Sequence, residues 1–290
     1  MFGKRSDGTK VTGLDGTTLL LPLFASSRAD SVNYCMLDVD AAPMDTFIEK
    51  KLVEGIKYSY MDITIAVLVR LFKKYPELNR FVVAGRIWQR NRIELSMIVK
   101  KSFRPDAEET SLSTRFTGYE TLAEGKKLID DDINAALNTQ NSMDDERDGL
   151  AKMPLPILKL AMWGLKVGDR FGILSPKFMK GSPFHCSFWV TNLKSISLQA
   201  ITHHLFDFGT CGFFLALGKE TYEPKVNLET GTIEIAKIVK MGISMDGRYL
   251  DGLSFSHILK TAKRMFADPA ILERPLREDE IQAAGVKKYL

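Results

Sequence analysis

The chain has 290 residues, 45% of them hydrophobic and 10% aromatic, enough for one large domain or two small ones around a buried core. Lys and Arg number 40 against 36 Asp and Glu, a formal charge of +4 spread along the sequence. Runs of Lys/Arg are absent, so no nucleic-acid or membrane partner is expected.

The first residues, MFGKRSDGTK, lack an apolar signal core, and TTLLLPLF (17–24) is too short to span a bilayer, so a cytoplasmic location is expected. No internal repeat or low-complexity tract divides the chain, and one domain over 1–290 is the simplest organisation. An amphipathic helix is expected over Met44 to Val53. The next helix follows Ser59, which forms a capping-box pattern with Asp62; Ile63, Val67 and Leu71 recur at helical spacing, and apolar residues fill most of the remaining circumference. This helix should be buried nearly all round and end at Pro76. RFVVAGRIWQRNRIELSMIVKK reads as two strands joined by a polar turn near Asn91, an antiparallel hairpin. A helical region from about Tyr119 to Leu137 leads into NTQNSMDDERDG, the best loop candidate. PLPILKLAMWGLKVG is expected to be a buried or interface helix.

The last third is rich in strands. SFWVTNL and GFFLALGKE read as core strands. TIEIAKIVKMGISM alternates for fourteen residues, placing Ile233, Ile235, Val239, Met241, Ile243 and Met245 on one face that only Lys237 breaks. At Asp246 the period changes from two to about 3.6. Phe255, Ile258, Leu259, Ala262, Met265 and Phe266 then form a helix face that runs up to DPAIL. Cys35, Cys186 and Cys211 are odd in number and distant in sequence, without CxxC spacing, and read as reduced thiols. The four histidines and three cysteines have no metal-ligand spacing, so no metal is expected. GTCGFF leads into a strand, not a helix, which argues against a phosphate-binding nucleotide loop.

The order of buried helix, YPELN (75–79), hairpin, VTNL (190–193), LALGKE (215–220), long strand, DGRYLDG (246–252) and amphipathic helix resembles the catalytic domain of 2-oxo acid dehydrogenase acyltransferases and chloramphenicol acetyltransferase, over roughly Met36 to Leu272. It is similar to a stand-alone bacterial branch in which HHLFDFGT recurs and the motif histidine is missing. The resemblance implies an α/β two-layer sandwich of the CoA-dependent acyltransferase type in one domain. Residues 1–35 would form an N-terminal extension packed on it, too short to hold the family's lipoyl or subunit-binding domain ahead of Met36. It also implies a homotrimer whose active site lies between subunits, with acyl-CoA and a small hydroxyl or thiol acceptor as substrates.

The family's motif is D-H-R-x-x-D-G, in which the histidine deprotonates the acceptor. Gly247 stands at that position here and cannot accept a proton. A positioned general base is worth on the order of 10²–10⁴ in rate, so reduced or altered activity is expected. The alternative is an inactive trimeric scaffold that binds acyl-CoA or a partner. Thr191 matches the family's hydroxyl donor to the tetrahedral oxyanion, a role worth roughly 10²–10³; without that frame it reads equally as an ordinary β-branched strand residue. Asp251 and Gly252 match the motif's DG, or else form a turn in which Asp bonds locally and Gly takes positive φ. Arg248 is expected to pair with a carboxylate. Asp246, His203 or an acidic acceptor could replace the lost base. HHLFDFG offers His203 four residues before Asp207, but that segment does not follow the long strand, and Gly209 falls one residue late for a DG motif. His185, in a Pro/Phe-rich turn, and His257, in the last helix, read as structural. The residues that line the coenzyme A site are not identified by the sequence.

Overall fold

The computed structural model describes residues 5–100, 109–138, 149, 152–227 and 229–281. All but the ends of the NTQNSMDDERDG stretch lies outside them. The strands are β1 (Gly8–Lys10), β2 (Val32–Asp40), β3 (Arg80–Val83), β4 (Arg86–Arg90), β5 (Ile93–Lys100), β6 (Glu109–Phe116), β7 (Phe188–Asn192), β8 (Phe213–Leu217), β9 (Thr221–Val226) and β10 (Ile233–Asp246). The helices are α1 (Gly16–Phe24), α2 (Ala42–Val53), α3 (Tyr60–Lys74), α4 (Leu122–Asn138), α5 (Leu155–Phe171), α6 (Pro176–Gly181) and α7 (Gly252–Ala267).

The large sheet runs β2-β10-β8-β7-β5-β6, with β9 paired to the overhanging start of β10. β7 is parallel to both β5 and β8, and the other pairs are antiparallel. Helices α2, α3, α4 and α7 cover one face, giving an α/β two-layer sandwich. Val239, Met241, Ile243 and Met245 point into this core beside Leu215, Leu217 and Val190. The capping box of α3 forms as its spacing implies: the Ser59 hydroxyl accepts from the Asp62 amide, and the Asp62 carboxylate accepts from the Ser59 amide. Ten residues of α3 are buried, among them Phe72, whose ring packs on Phe188 and Phe213 at 4.8 and 5.5 Å.

Several expectations change. The hairpin turns at Ala84 and Gly85, whose φ values of 52° and 69° suit a tight two-residue turn, and it pairs β3 with β4. β1, β4 and β3 form a separate three-stranded sheet, so the polar Asn91 marks the point where the chain passes from one sheet to the other. Ile233 and Ile235 keep the alternation of β10 but are 73% and 80% exposed, because this end of β10 outruns β2 and β8 and pairs only with β9. Lys237 is held by Asp45 at 2.9 Å. α5 is not buried: Asp169 is its one buried residue, so of the two readings only the interface helix survives. Residues 5–35, most of the expected N-terminal extension, contribute β1 to the small sheet, α1 and the start of β2. Among the described residues no helix is long and apolar enough to cross a membrane, and no group of three or more His, Cys, Asp or Glu residues could hold a metal.

Candidate functional site

β10 delivers the DGRYLDG motif to the end of the sheet. Asp246 is fully buried, and its carboxylate is gripped by Arg248 at both ends, with Nε on Oδ1 at 2.8 Å and Nη2 on Oδ2 at 2.7 Å. The Arg248 amide also donates to Oδ1, and Arg28 Nε lies 3.5 Å from Oδ2. A carboxylate shared by two buried guanidiniums is committed to holding the turn and has no access to an acceptor's proton. Asp246 is therefore excluded as the replacement base.

Gly247 donates its amide to the Ser31 carbonyl at 2.8 Å. Its φ is not positive, so glycine is not required by backbone conformation. Space is the constraint: a Cβ would stand 2.6 Å from Asn33 Nδ2 and 3.1 Å from the Ser31 carbonyl oxygen. The space that a side chain at position 247 would enter is occupied by Asn33 of β2.

Asp251 is the N-cap of α7, accepting from the Ser254 amide at 2.9 Å and the Ser254 hydroxyl at 2.7 Å. The local-bonding reading of this carboxylate holds. The reading of Gly252 does not: it is the first residue of α7 with no positive φ, and nothing lies within 4 Å of where its Cβ would be.

Thr191 is half-buried near the end of β7. It pairs with Ala216, which pairs with Gly242. Gly247 lies five residues beyond Gly242 on β10. Two strands across at about 4.8 Å each and five residues along at about 3.4 Å each separate Thr191 from Gly247 by roughly 20 Å. One chain cannot bring them into a single site.

The structure does bring His203 to the Thr191 face. The segment 198–206, for which no element was expected, crosses the sheet on the side opposite the helices. It passes so closely that a Cβ on Gly218 would stand 2.2 Å from the Ala200 nitrogen, and one on Gly242 1.9 Å from the Ile201 oxygen. His203 then stacks flat on Phe214, with centroids 4.1 Å apart and planes within 5°. Phe214 stacks in turn near Trp189, its cross-strand partner, at 6.0 Å. Trp189 and Thr191, two apart on β7, share this face. His203 thus rides over the β-strand next to Thr191, with the Phe214 and Thr191 Cα atoms roughly 8 Å apart by strand geometry. Its Nδ1 lies 2.8 Å from the His204 carbonyl oxygen. A carbonyl only accepts, so Nδ1 donates, and in the neutral ring the lone pair lies on Nε2.

The rest of HHLFDFGT is an anchor. Asp207 accepts from the Arg28 and Ala29 amides and the Ser27 hydroxyl. Burial alone would raise this carboxyl, but those hydrogen bonds hold it below its ordinary value. Gly209 has φ of +82°, and a Cβ there would strike the Phe184 carbonyl oxygen at 2.3 Å. His185 is fully buried between the Ser182 hydroxyl, 2.8 Å from Nδ1, and Asp169, 3.3 Å from Nε2. His257 lies within α7. Cys186 and Cys211, distant in sequence, meet in a small apolar cluster with Trp189 and Phe214, both as free thiols, and burial pushes Cys186 well above its ordinary value.

Two open clefts flank the Gly247 turn. One, of about 640 Å³, lies between α1 and α5 and includes Arg28, Trp163, Arg170 and Arg248. The other, of about 740 Å³, lies between β2 and α7 and is lined by Asn33, Tyr34, Met36, Gly252, Lys260 and Lys263. Neither includes Thr191 or His203.

No protein-family model matches this chain, and no curated protein matches it. Solved structures do. A probable dihydrolipoamide acetyltransferase from Listeria monocytogenes 4b F2365 superposes with a TM-score of 0.53 at 15% identity, covering 89% of this chain and 94% of that one. The Azotobacter vinelandii dihydrolipoamide acetyltransferase gives 0.53 at 14%, covering 91% and 94%. A chloramphenicol acetyltransferase gives 0.50 at 9%, covering 89% and 99%. At such identities the likeness carries the architecture and not the activity. The chain has the CoA-dependent acyltransferase fold, the one toward which the YPELN and D-x-R-x-x-D-G motifs pointed.

Proposed function

We propose that this chain is a single-domain, acyl-CoA-dependent acyltransferase in which His203 replaces the base missing at Gly247. The observation that carries the reading is the placement of His203: its Nδ1 bonds the His204 carbonyl and its ring stacks on Phe214, on the sheet face that carries Thr191, so that Nε2 is the nitrogen of the neutral ring free to take a proton. The acceptor's hydroxyl or thiol proton passes to His203 Nε2 as the oxygen or sulfur attacks the thioester carbon of acyl-CoA. The tetrahedral oxyanion accepts a hydrogen bond from the Thr191 hydroxyl. Collapse breaks the carbon–sulfur bond, and the departing CoA thiolate recovers the proton from His203.

The separation of roughly 20 Å between Thr191 and Gly247 supports the trimer that the resemblance implies, with Thr191 of one subunit facing the Gly247 turn of the next. The base then belongs to the Thr191 wall, and Asn33 fills the opposite one. Lys260 and Lys263 beside Tyr34 and Met36 in the β2–α7 groove match a pantetheine arm that ends in phosphates.

Release of free CoA thiol from acetyl-CoA, measured across hydroxyl and thiol acceptors, tests the reading. His203→Gln should lower kcat by about 10²–10⁴, and Thr191→Ala by about 10²–10³. Turnover unchanged by His203→Gln would remove the assignment. The second reading, a scaffold that binds acyl-CoA without turnover, is favoured by the occupied place beside Gly247. Acyl-CoA binding by the wild type with no thiol release for any acceptor would establish it.

A further inference from the structure

α5 is a 17-residue helix with one buried residue, Asp169, which is held by Arg5 at 2.8 Å. Its outward stripe is apolar: Ile157, Leu160 and Trp163, at helical spacing of three, are 54%, 67% and 63% exposed. α1 lines the same cleft as α5, through Pro22 and Leu23 facing Trp163 and Val167. It has no charged residue in its length and exposes Leu19, Leu20, Leu23 and Phe24. An isolated exposed leucine needs no explanation, but two adjacent helices each presenting a row of them do.

Cations dominate the charges on the α5 side of this face; of the acids nearby, Asp15 caps α1 and Asp207, in the same cleft, is held by the Arg28 and Ala29 amides. Lys152, Lys159, Lys166, Arg170, Lys177 and Lys180 are exposed and make no ion pair with a described residue. The one acid in this stretch, Asp169, is already paired with Arg5. In sequence these cations are spaced, with Lys152, Lys159 and Lys166 seven apart, so no run is seen; α5 gathers Lys159, Lys166 and Arg170 onto one side. A second copy presenting the same face would set cation against cation, which disfavours a two-fold contact. The complement must be apolar and negatively charged. A protein partner would need a shaped acidic groove, whereas a bilayer interface meets both demands with no matching shape.

We propose that the α1–α5 face is a docking surface for anionic lipid bilayers. Leu160, Trp163, Leu23 and Phe24 enter the headgroup boundary, and the surrounding lysines meet anionic headgroups. This inference is independent of the acyl-transfer reading and replaces the expectation of no membrane partner, which rested on the absence of a Lys/Arg run.

The test is flotation of the full chain with vesicles of phosphatidylcholine alone or with phosphatidylglycerol. Trp88 and Trp189 are buried, so Trp163 is the exposed indole and reports insertion by a blue shift of its emission. The protein should float with the anionic vesicles and not with pure phosphatidylcholine, and raised salt should release it. Trp163→Phe should keep binding and lose the blue shift. Leu160→Ser with Trp163→Ser, and separately Lys159→Glu with Lys166→Glu, should each weaken partition roughly tenfold or more without changing thermal stability. Failure to float with either vesicle overturns the proposal, as does full binding by the charge-reversed variant. If instead Leu160→Ser with Trp163→Ser lowers the molar mass by light scattering and no vesicle binds, the face belongs to a second copy.

Discussion

A methyl group added at Gly247 tests whether Asn33 occupies the space of the missing base. An ideal Cβ would stand 2.6 Å from Asn33 Nδ2 and 3.1 Å from Asn33 Cγ. Contacts that short are not tolerated, so Asn33 must leave its rotamer, at about 0.5–1.5 kcal/mol, or the β10–β2 edge must move, at about 1–3 kcal/mol. Nothing in the backbone offsets this beyond the ordinary gain of replacing glycine, about 0.4–1 kcal/mol. Gly247→Ala should therefore be near neutral if Asn33 can turn away, and cost up to about 2.5 kcal/mol net if the edge must move. In an Asn33→Ala background the same change should cost nothing or stabilise, a coupling of about 0.5–3 kcal/mol. Urea unfolding of the wild type, both single variants and the double variant gives the coupling directly. The practical consequence is that Gly247→His alone cannot place an imidazole in the family's position, whereas Gly247→His with Asn33→Ala can. Additive free energies across the cycle would refute the packing argument.

Two further outcomes follow from buried or capping carboxylates. Asp251→Ala removes the N-cap of α7 and should cost about 0.5–2 kcal/mol in thermal unfolding, with Asp251→Ser recovering most of it and kcat moving no more than the stability does. Selective loss of kcat in a stable Asp251→Ser variant would give this carboxylate a direct role. Burial alone would raise the Asp169 carboxyl, but bonds from His185 and Arg5 hold it below its ordinary range. A lowered folded pKa gives stability that is present above the unfolded value, about 3.9, and lost as pH falls through the folded value. Acid melts should show this loss below about pH 4, and Asp169→Asn should remove that part of the pH dependence while costing up to about 3 kcal/mol at neutral pH.

The elements legible in the sequence are those whose local signal and burial agree. α3 carries its own cap and an all-round apolar surface, and α7 an unbroken 3.6-residue stripe whose Ile258, Ala262, Met265 and Phe266 are all buried. Alternation told less about β10, because period two reports a shared face and not whether another layer covers it; Ile233 and Ile235 share the face and stand in solvent. α5 was legible as a helix but not in its burial, for a related reason, since apolar residues at helical spacing specify a surface to be covered without saying by what. The Asp246–Arg248 pair was within reach, the two residues being neighbours on a short turn. His203 was legible as a residue but not in its setting. Its stacking on Phe214 and its bond to the adjacent carbonyl depend on a segment with no periodic pattern, held by contacts to strands far along the chain.

That dependence can be tested through two glycines. Segment 198–206 crosses β8 and β10 where Gly218 and Gly242 offer bare backbone, and His203 is positioned by this crossing. A Cβ at Gly242 would meet the Ile201 oxygen at 1.9 Å, its carbonyl carbon at 2.5 Å and the Thr202 nitrogen at 3.0 Å. These are backbone atoms, so no rotamer change relieves the clash and the segment must lift. If His203 is the base, Gly242→Ala should lower thiol release nearly as far as His203→Gln does, although residue 242 carries no chemistry and Thr191 is untouched. A change of 1 Å in a reacting group can cost about a hundredfold. The two variants should also be non-additive, since a displaced histidine has little left to lose. Gly164→Ala on α5, where a Cβ meets nothing within 4 Å, is the control: it should gain up to about 1 kcal/mol of helix stability and leave turnover alone. A folded Gly242→Ala protein with full activity would mean that the position of this segment is irrelevant to the chemistry, and the base would have to be sought on another wall.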